Sequence, residues 1–125
     1  MMTLDEIREF ARGAHLEKSE LLDDDAAVGR DCNGIGAAWF PAWLRAAANW
    51  MHPALYVASF IHDREYAIGG NYFDRLRADW RFLRNGIASA NYCYGVFSLR
   101  TLTIAWQSLR FYFALRIGGK FAWHK

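Results

Sequence analysis

Hydrophobic positions along this chain recur mostly at three- and four-residue intervals, the spacing of one helix face. In the first segment Leu4, Ile7, Phe10, Ala14 and Leu21 form a thin apolar stripe. Thr3 followed by Glu6 fits a capping box, where each side chain satisfies a backbone N–H of the first turn. The acidic run 23–25 ends or follows this segment, a docked amphipathic helix or an arm over 1–28. "PAWLRAAANWM" (41–51) reads as a short helix with Pro41 in its first turn. A helix is expected from Pro53 to about residue 68, stopped by Gly69 and Gly70. The next runs from about Tyr72 to Leu83 or slightly beyond, with "RNG" (84–86) as a weak break. The last covers about 92–117 before Gly118 and Gly119, with Leu99, Leu102, Trp106, Leu109 and Phe113 on one side. No pair of strands is expected. The pattern predicts an all-α single domain over 1–125: an N-terminal segment, a core at 31–90, and a C-terminal helix and tail at 91–125.

Two positions resist the pattern. On the 53–68 helix, His62 shares a face with Leu55, Ala58, Ser59 and Tyr66. Asp63 lies about 100° round the helix from it, so any role it has is separate. On the next helix Leu76, Trp80, Leu83 and Ile87 mark an apolar stripe that contains Asp79, while Arg77, Arg81 and Arg84 line the other side. A carboxylate facing a core is costly without a partner. The Gly69–Gly70 turn favours antiparallel packing, which brings His62 and Asp79 to a similar height. The carboxylate would accept from one ring nitrogen, fix the tautomer and leave the other nitrogen as a base. Tyr66 is placed to donate its hydroxyl to the same carboxylate. The same pair also serves as a polar pin for helix register.

Composition narrows the class. With 125 residues, 54% hydrophobic and 17% aromatic, the chain suits one packed domain. "MMTLDEIREFARG" carries charge from residue 5 onward, unlike a signal peptide. No stretch reaches the roughly 18 apolar residues of a membrane span. The expected setting is therefore cytoplasmic or virion-associated, with peripheral membrane contact. Cys32 and Cys93 are too few for a disulfide framework; one bridge between them is open, and two free thiols are the expected state. Residues 1–31 hold nine acids and four bases, net −5, and residues 32–125 hold four acids and eleven bases, net +7. A basic body attracts anionic lipid, nucleic acid or the acidic segment itself.

"CNGIG" (32–36) reads as an irregular glycine-containing loop. Such backbone can turn several carbonyls toward one point, which suits Ca²⁺, and Asp63 offers the charge that such a site needs. With these residues in view, the chain resembles the phospholipase A2 superfamily. "HDREY" (62–66) resembles its His-Asp-x-x-Tyr helix motif, and "CNGIG" its calcium loop. "ADWRF" (78–82) resembles its second-helix Asp motif, most closely the Ala-Asp-x-x-Phe form of the disulfide-poor phospholipase domains in parvovirus capsid proteins. The order of loop, His-Asp helix and Asp helix also matches, over about 31–84. The resemblance implies that His62 activates water, Asp79 orients it and Tyr66 supports the network. It also implies that Asp63 and the carbonyls of Cys32, Gly34 and Gly36 hold Ca²⁺, and that the sn-2 ester of a glycerophospholipid is hydrolysed. Ala58 and Ser59 stand where secreted members have paired cysteines, and the interval from Gly36 to His62 is longer. A bacterial or phage source fits this style of sequence.

The expected partner is a phospholipid surface, contacted through Trp106, Phe111, Tyr112, Phe113 and Trp123 with Arg110, Arg116 and Lys120. A homo-oligomer is a further possibility. The second reading keeps the fold as a catalytically silent structural or interaction module. A third, a nucleic-acid binder using Arg75, Arg77, Arg81 and Arg84, lacks a standard signature, and nucleic acid is not an expected partner. His15, His52, His62 and His124 are too scattered to suggest zinc.

Overall fold

The computed structural model describes residues 3–32, 54–121 and 123. Among these the chain forms five α-helices and no strand: α1 (Leu4–Gly13), α2 (Asp25–Asp31), α3 (Ala54–Ile68), α4 (Tyr72–Tyr94) and α5 (Leu99–Gly118). The expected helix at 41–51 lies outside the described residues, as does most of the 32–36 loop.

Local sequence sets the helix ends. Thr3 and Glu6 form the expected capping box on α1. Asp24, inside the acidic run, accepts from the Ala27 N–H and starts α2. Between α3 and α4, Gly69 (φ 75°) and Gly70 (φ 134°) adopt backbone that favours glycine. Asn71 and Asp74 then close a second capping box.

Helices α3, α4 and α5 run up, down and up. Leu55 lies beside Gly86, His62 beside Asp79 and Glu65 beside Arg81, an antiparallel register. Gly86 beside Ser108 and Trp80 beside Tyr112 give the same sense for α4 and α5. Helix α3 is buried on two sides. Leu55 and Ala58 join the core with Phe82, Ile104, Phe111 and Leu115, while Val57, Phe60 and Ile61 pack on Ile7, Ala11, Leu16, Leu22 and Val28. Apolar residues nearly all round α3 are what a central helix requires.

Several expectations need correcting. The helix from Tyr72 does not weaken at "RNG" but continues to Tyr94, and the break falls at Gly95 (φ 84°). Gly86 is a packing residue: a Cβ there would stand 2.7 Å from Ser108 Oγ and 2.8 Å from Leu55 Cδ2. Asn85 is buried because its amide holds the Glu17 backbone, accepting from N–H at 2.9 Å and donating to the carbonyl at 3.1 Å. The last helix starts at Leu99, and its expected apolar stripe faces out: Leu99, Leu102, Trp106 and Phe113 are exposed. Its buried face is Thr101, Ile104, Ser108, Phe111 and Leu115. Thr101 and Ser108 enter the core because their hydroxyls bond to main-chain carbonyls. Trp80 also faces out, whereas Arg75 is buried. Both cysteines are free.

Candidate functional site

Helix α3 presents Leu55, Ala58, Ser59, His62 and Tyr66 to α4 and α5, and all five are buried. Small residues at 58 and 59 leave space one turn before the imidazole. The inward Asp79 of α4 is fully buried. His62 Nε2 lies 2.9 Å from Asp79 Oδ1. The Tyr66 hydroxyl donates to the same oxygen at 2.5 Å. The His62 ring packs 4.2 Å from Tyr66 and 5.2 Å from Phe82, centroid to centroid. The three residues expected to meet therefore do meet.

The other carboxylate oxygen has partners that sequence reasoning did not find. Arg116 Nη1, from the last turn of α5, donates to Asp79 Oδ2 at 2.7 Å. Arg75 Nε stands 3.9 Å from the same oxygen. The Arg75 fork also donates to the carbonyls of Leu115 and Arg116 at 2.7 and 3.0 Å. The Leu115 carbonyl also accepts from the Gly119 N–H, so Arg75 adds a side-chain donor to the last turn of α5 while flanking Asp79. Trp123 closes the side of the cluster, packing edge-on to Tyr66 at 5.0 Å and donating Nε1–H to the Gly70 carbonyl at 3.1 Å. Gly119 lies against the Tyr66 hydroxyl where a Cβ would collide. Arg75 carried a visible signal, an Arg four residues before an Asp on one helix face. Arg116 and Trp123 carried none, since only the tertiary return of α5 brings them in.

Electrostatics fix the protonation of the acid. Burial alone would raise the Asp79 pKa, but the hydrogen bonds from His62, Tyr66 and Arg116 outweigh it and hold the carboxyl below its ordinary value. An ionised carboxylate only accepts, so His62 Nε2 carries the proton between them. Burial, then the Asp79 charge, pushes the Tyr66 phenol upward, so it stays a donor. One turn along, burial raises Glu65 while Arg81 pulls against it through a side-chain pair.

Asp63 lies on another face of α3, half-buried, towards Cys32. The Cys32 thiol donates to the Phe60 carbonyl at 3.3 Å. Burial, with the nearby Asp63 charge, pushes that thiol up to about 12. It is therefore neutral near pH 7. The Asp63 charge acts on the Cys32 thiol, so the two residues are neighbours, and a carboxylate and a backbone carbonyl are donors of the type Ca²⁺ takes. Gly34 and Gly36 lie outside the described residues. No group of three or more His, Cys, Asp or Glu side chains gathers as a metal site among the described residues.

Of the aromatic and basic residues expected on a lipid-facing surface, Phe111 and Trp123 are buried and Arg116 is held by Asp79. Trp106 and Phe113 are exposed, and Phe97, Leu99, Leu102 and Ile117 extend an apolar strip around them. No described helix is long and apolar enough to cross a membrane. Compared with protein-family models, curated proteins and solved structures, the chain gives no match.

Proposed function

We propose that this chain hydrolyses the sn-2 ester of glycerophospholipids, with His62 as the base that takes a proton from the attacking water. The observation that carries the reading is the buried trio His62–Asp79–Tyr66, with the carboxylate ionised and the imidazole oriented through Nε2. In this reading Nδ1 accepts the water's proton, Asp79 keeps the ring aligned and Tyr66 keeps Asp79 in place. Asp63 and the carbonyls of Cys32, Gly34 and Gly36 would hold Ca²⁺. When bound, the ion would polarise the ester carbonyl and offset the charge that develops on its oxygen. The outward strip of α5 supports contact with a phospholipid surface, its apolar side chains entering the interface beside Arg100 and Arg110. The parvovirus-like motif residues support a cytoplasmic or virion-associated setting.

A second reading has its own observation. Asp79 is saturated by His62, Tyr66 and Arg116, with Arg75 close by, which also describes a structural pin. The protein would then be a catalytically silent phospholipase-like module. Fatty-acid release from mixed phosphatidylcholine and phosphatidylglycerol liposomes separates the two. The enzyme reading expects release that needs calcium, stops with chelator and falls at least 100-fold in His62→Ala. Liposome binding with no release in wild type favours the silent module.

A further inference from the structure

A groove lies on the outer side of α4, turned away from Asp79. Trp80, Leu76 and Tyr112 floor this groove of about 420 Å³. The Trp80 and Tyr112 rings meet edge-on at 5.7 Å. Arg77, Arg81 and Arg84, at helical spacing, line the same groove. Three guanidiniums over an aromatic floor match a ligand with an anionic head and an apolar body.

The chain's own carboxylates already pair with these arginines: Asp74 with Arg77 at 2.7 Å, Glu65 with Arg81, and Glu17 with Arg84. Glu17 Oε1 pairs with Arg84 at 2.6 Å, and Oε2 stands 3.7 Å from Arg81 Nε. Glu17 is carried in on costly backbone: His15 (φ 55°) and Lys18 (φ 64°), on either side of it, occupy the left-handed region. The buried Asn85 amide grips the Glu17 main chain from α4. The loop is thus pinned by its backbone, while its carboxylate, about two-fifths exposed, can swing away without unfolding it. Arg77 and Arg84 are more than half exposed and within reach of solvent anions.

We propose that this groove binds small anionic amphiphiles, with a carboxylate or phosphate head on Arg77, Arg81 and Arg84 and an apolar chain on Trp80 and Tyr112. Glu17 is the internal stand-in that the ligand head displaces. The inference goes beyond ester hydrolysis and does not depend on it, because it uses neither His62 nor Asp79.

Titration calorimetry with decyl phosphate and with decanoate, below micelle formation, tests it on the full chain. Saturable one-to-one binding of at least one of the two is expected. For that probe, Glu17→Gln should tighten binding at least threefold, since it removes the competing charge. Arg84→Ala and Trp80→Ala should each weaken it at least fivefold. Trp106→Ala, on the outward strip of α5, should leave it unchanged. Inorganic phosphate and decyltrimethylammonium should bind at least tenfold more weakly. Circular dichroism of each variant confirms that the helices are intact. The proposal is overturned by equal binding of the cationic amphiphile, by no response to Glu17→Gln and Arg84→Ala, by a Trp106→Ala loss equal to that of Trp80→Ala, or by no saturable binding.

Discussion

Asp79 concentrates the physics at the residue scale. A fully buried carboxylate persists because each oxygen is hydrogen-bonded and two arginines balance its charge. Removing it would leave Arg75 and Arg116 facing each other without a counter-charge. Asp79→Ala should cost about 3–5 kcal/mol in urea unfolding. The pH dependence has a defined sign. The folded carboxyl titrates below its ordinary value of 3.8, so its stabilisation is present above that value and is lost as pH falls through the lower folded one. Urea unfolding at several pH values between 2 and 5 should show wild-type stability dropping steeply below about pH 4, with a shallower drop in Asp79→Asn. The Asp, the His and the Tyr could be read from sequence because helical spacing alone aims all three at one seam. The charge balance could not, since Arg116 is 37 residues further on.

Among the elements, α4 decides how tightly the bundle closes. Gly86 lets α3 and α5 approach the same turn of α4, and Asn85 beside it ties down the loop after α1. Gly86→Ala should cost about 1–3 kcal/mol, because the new methyl presses on Ser108 and Leu55, both fully buried, and forces them to repack. Asn85→Ala should cost about 1–3 kcal/mol by leaving the Glu17 main-chain groups unpaired. Chemical unfolding measures both. These same residues explain why the sequence suggested a break at 84–86. An Asn-Gly pair is a turn signal by composition, and only the neighbouring helices turn it into a packing feature. Helix α5 misled in the opposite sense. Its larger apolar residues point outward while Thr101 and Ser108 point inward, so hydropathy alone selects the wrong face.

For the whole molecule, the contrast between an acidic start and a basic body is partly resolved internally. Arg64 pairs with Asp31 at 2.5 Å, and Arg84 pairs with Glu17. The proposed lipid contact would use the outward apolar strip of α5, which none of these pairs covers. Leu102→Glu with Trp106→Glu should reduce co-sedimentation with phosphatidylglycerol vesicles at least fivefold while leaving the helical spectrum unchanged.

The account depends most on an ionised Asp79 holding His62 as its Nε2–H tautomer. Nitrogen-15 NMR of the histidine rings at pH 7.5 observes this directly. The His62 ring should show a protonated Nε2 and an unprotonated Nδ1, and Asp79→Asn should disturb that pattern. A ring protonated at Nδ1, or one indifferent to Asp79→Asn, would contradict it.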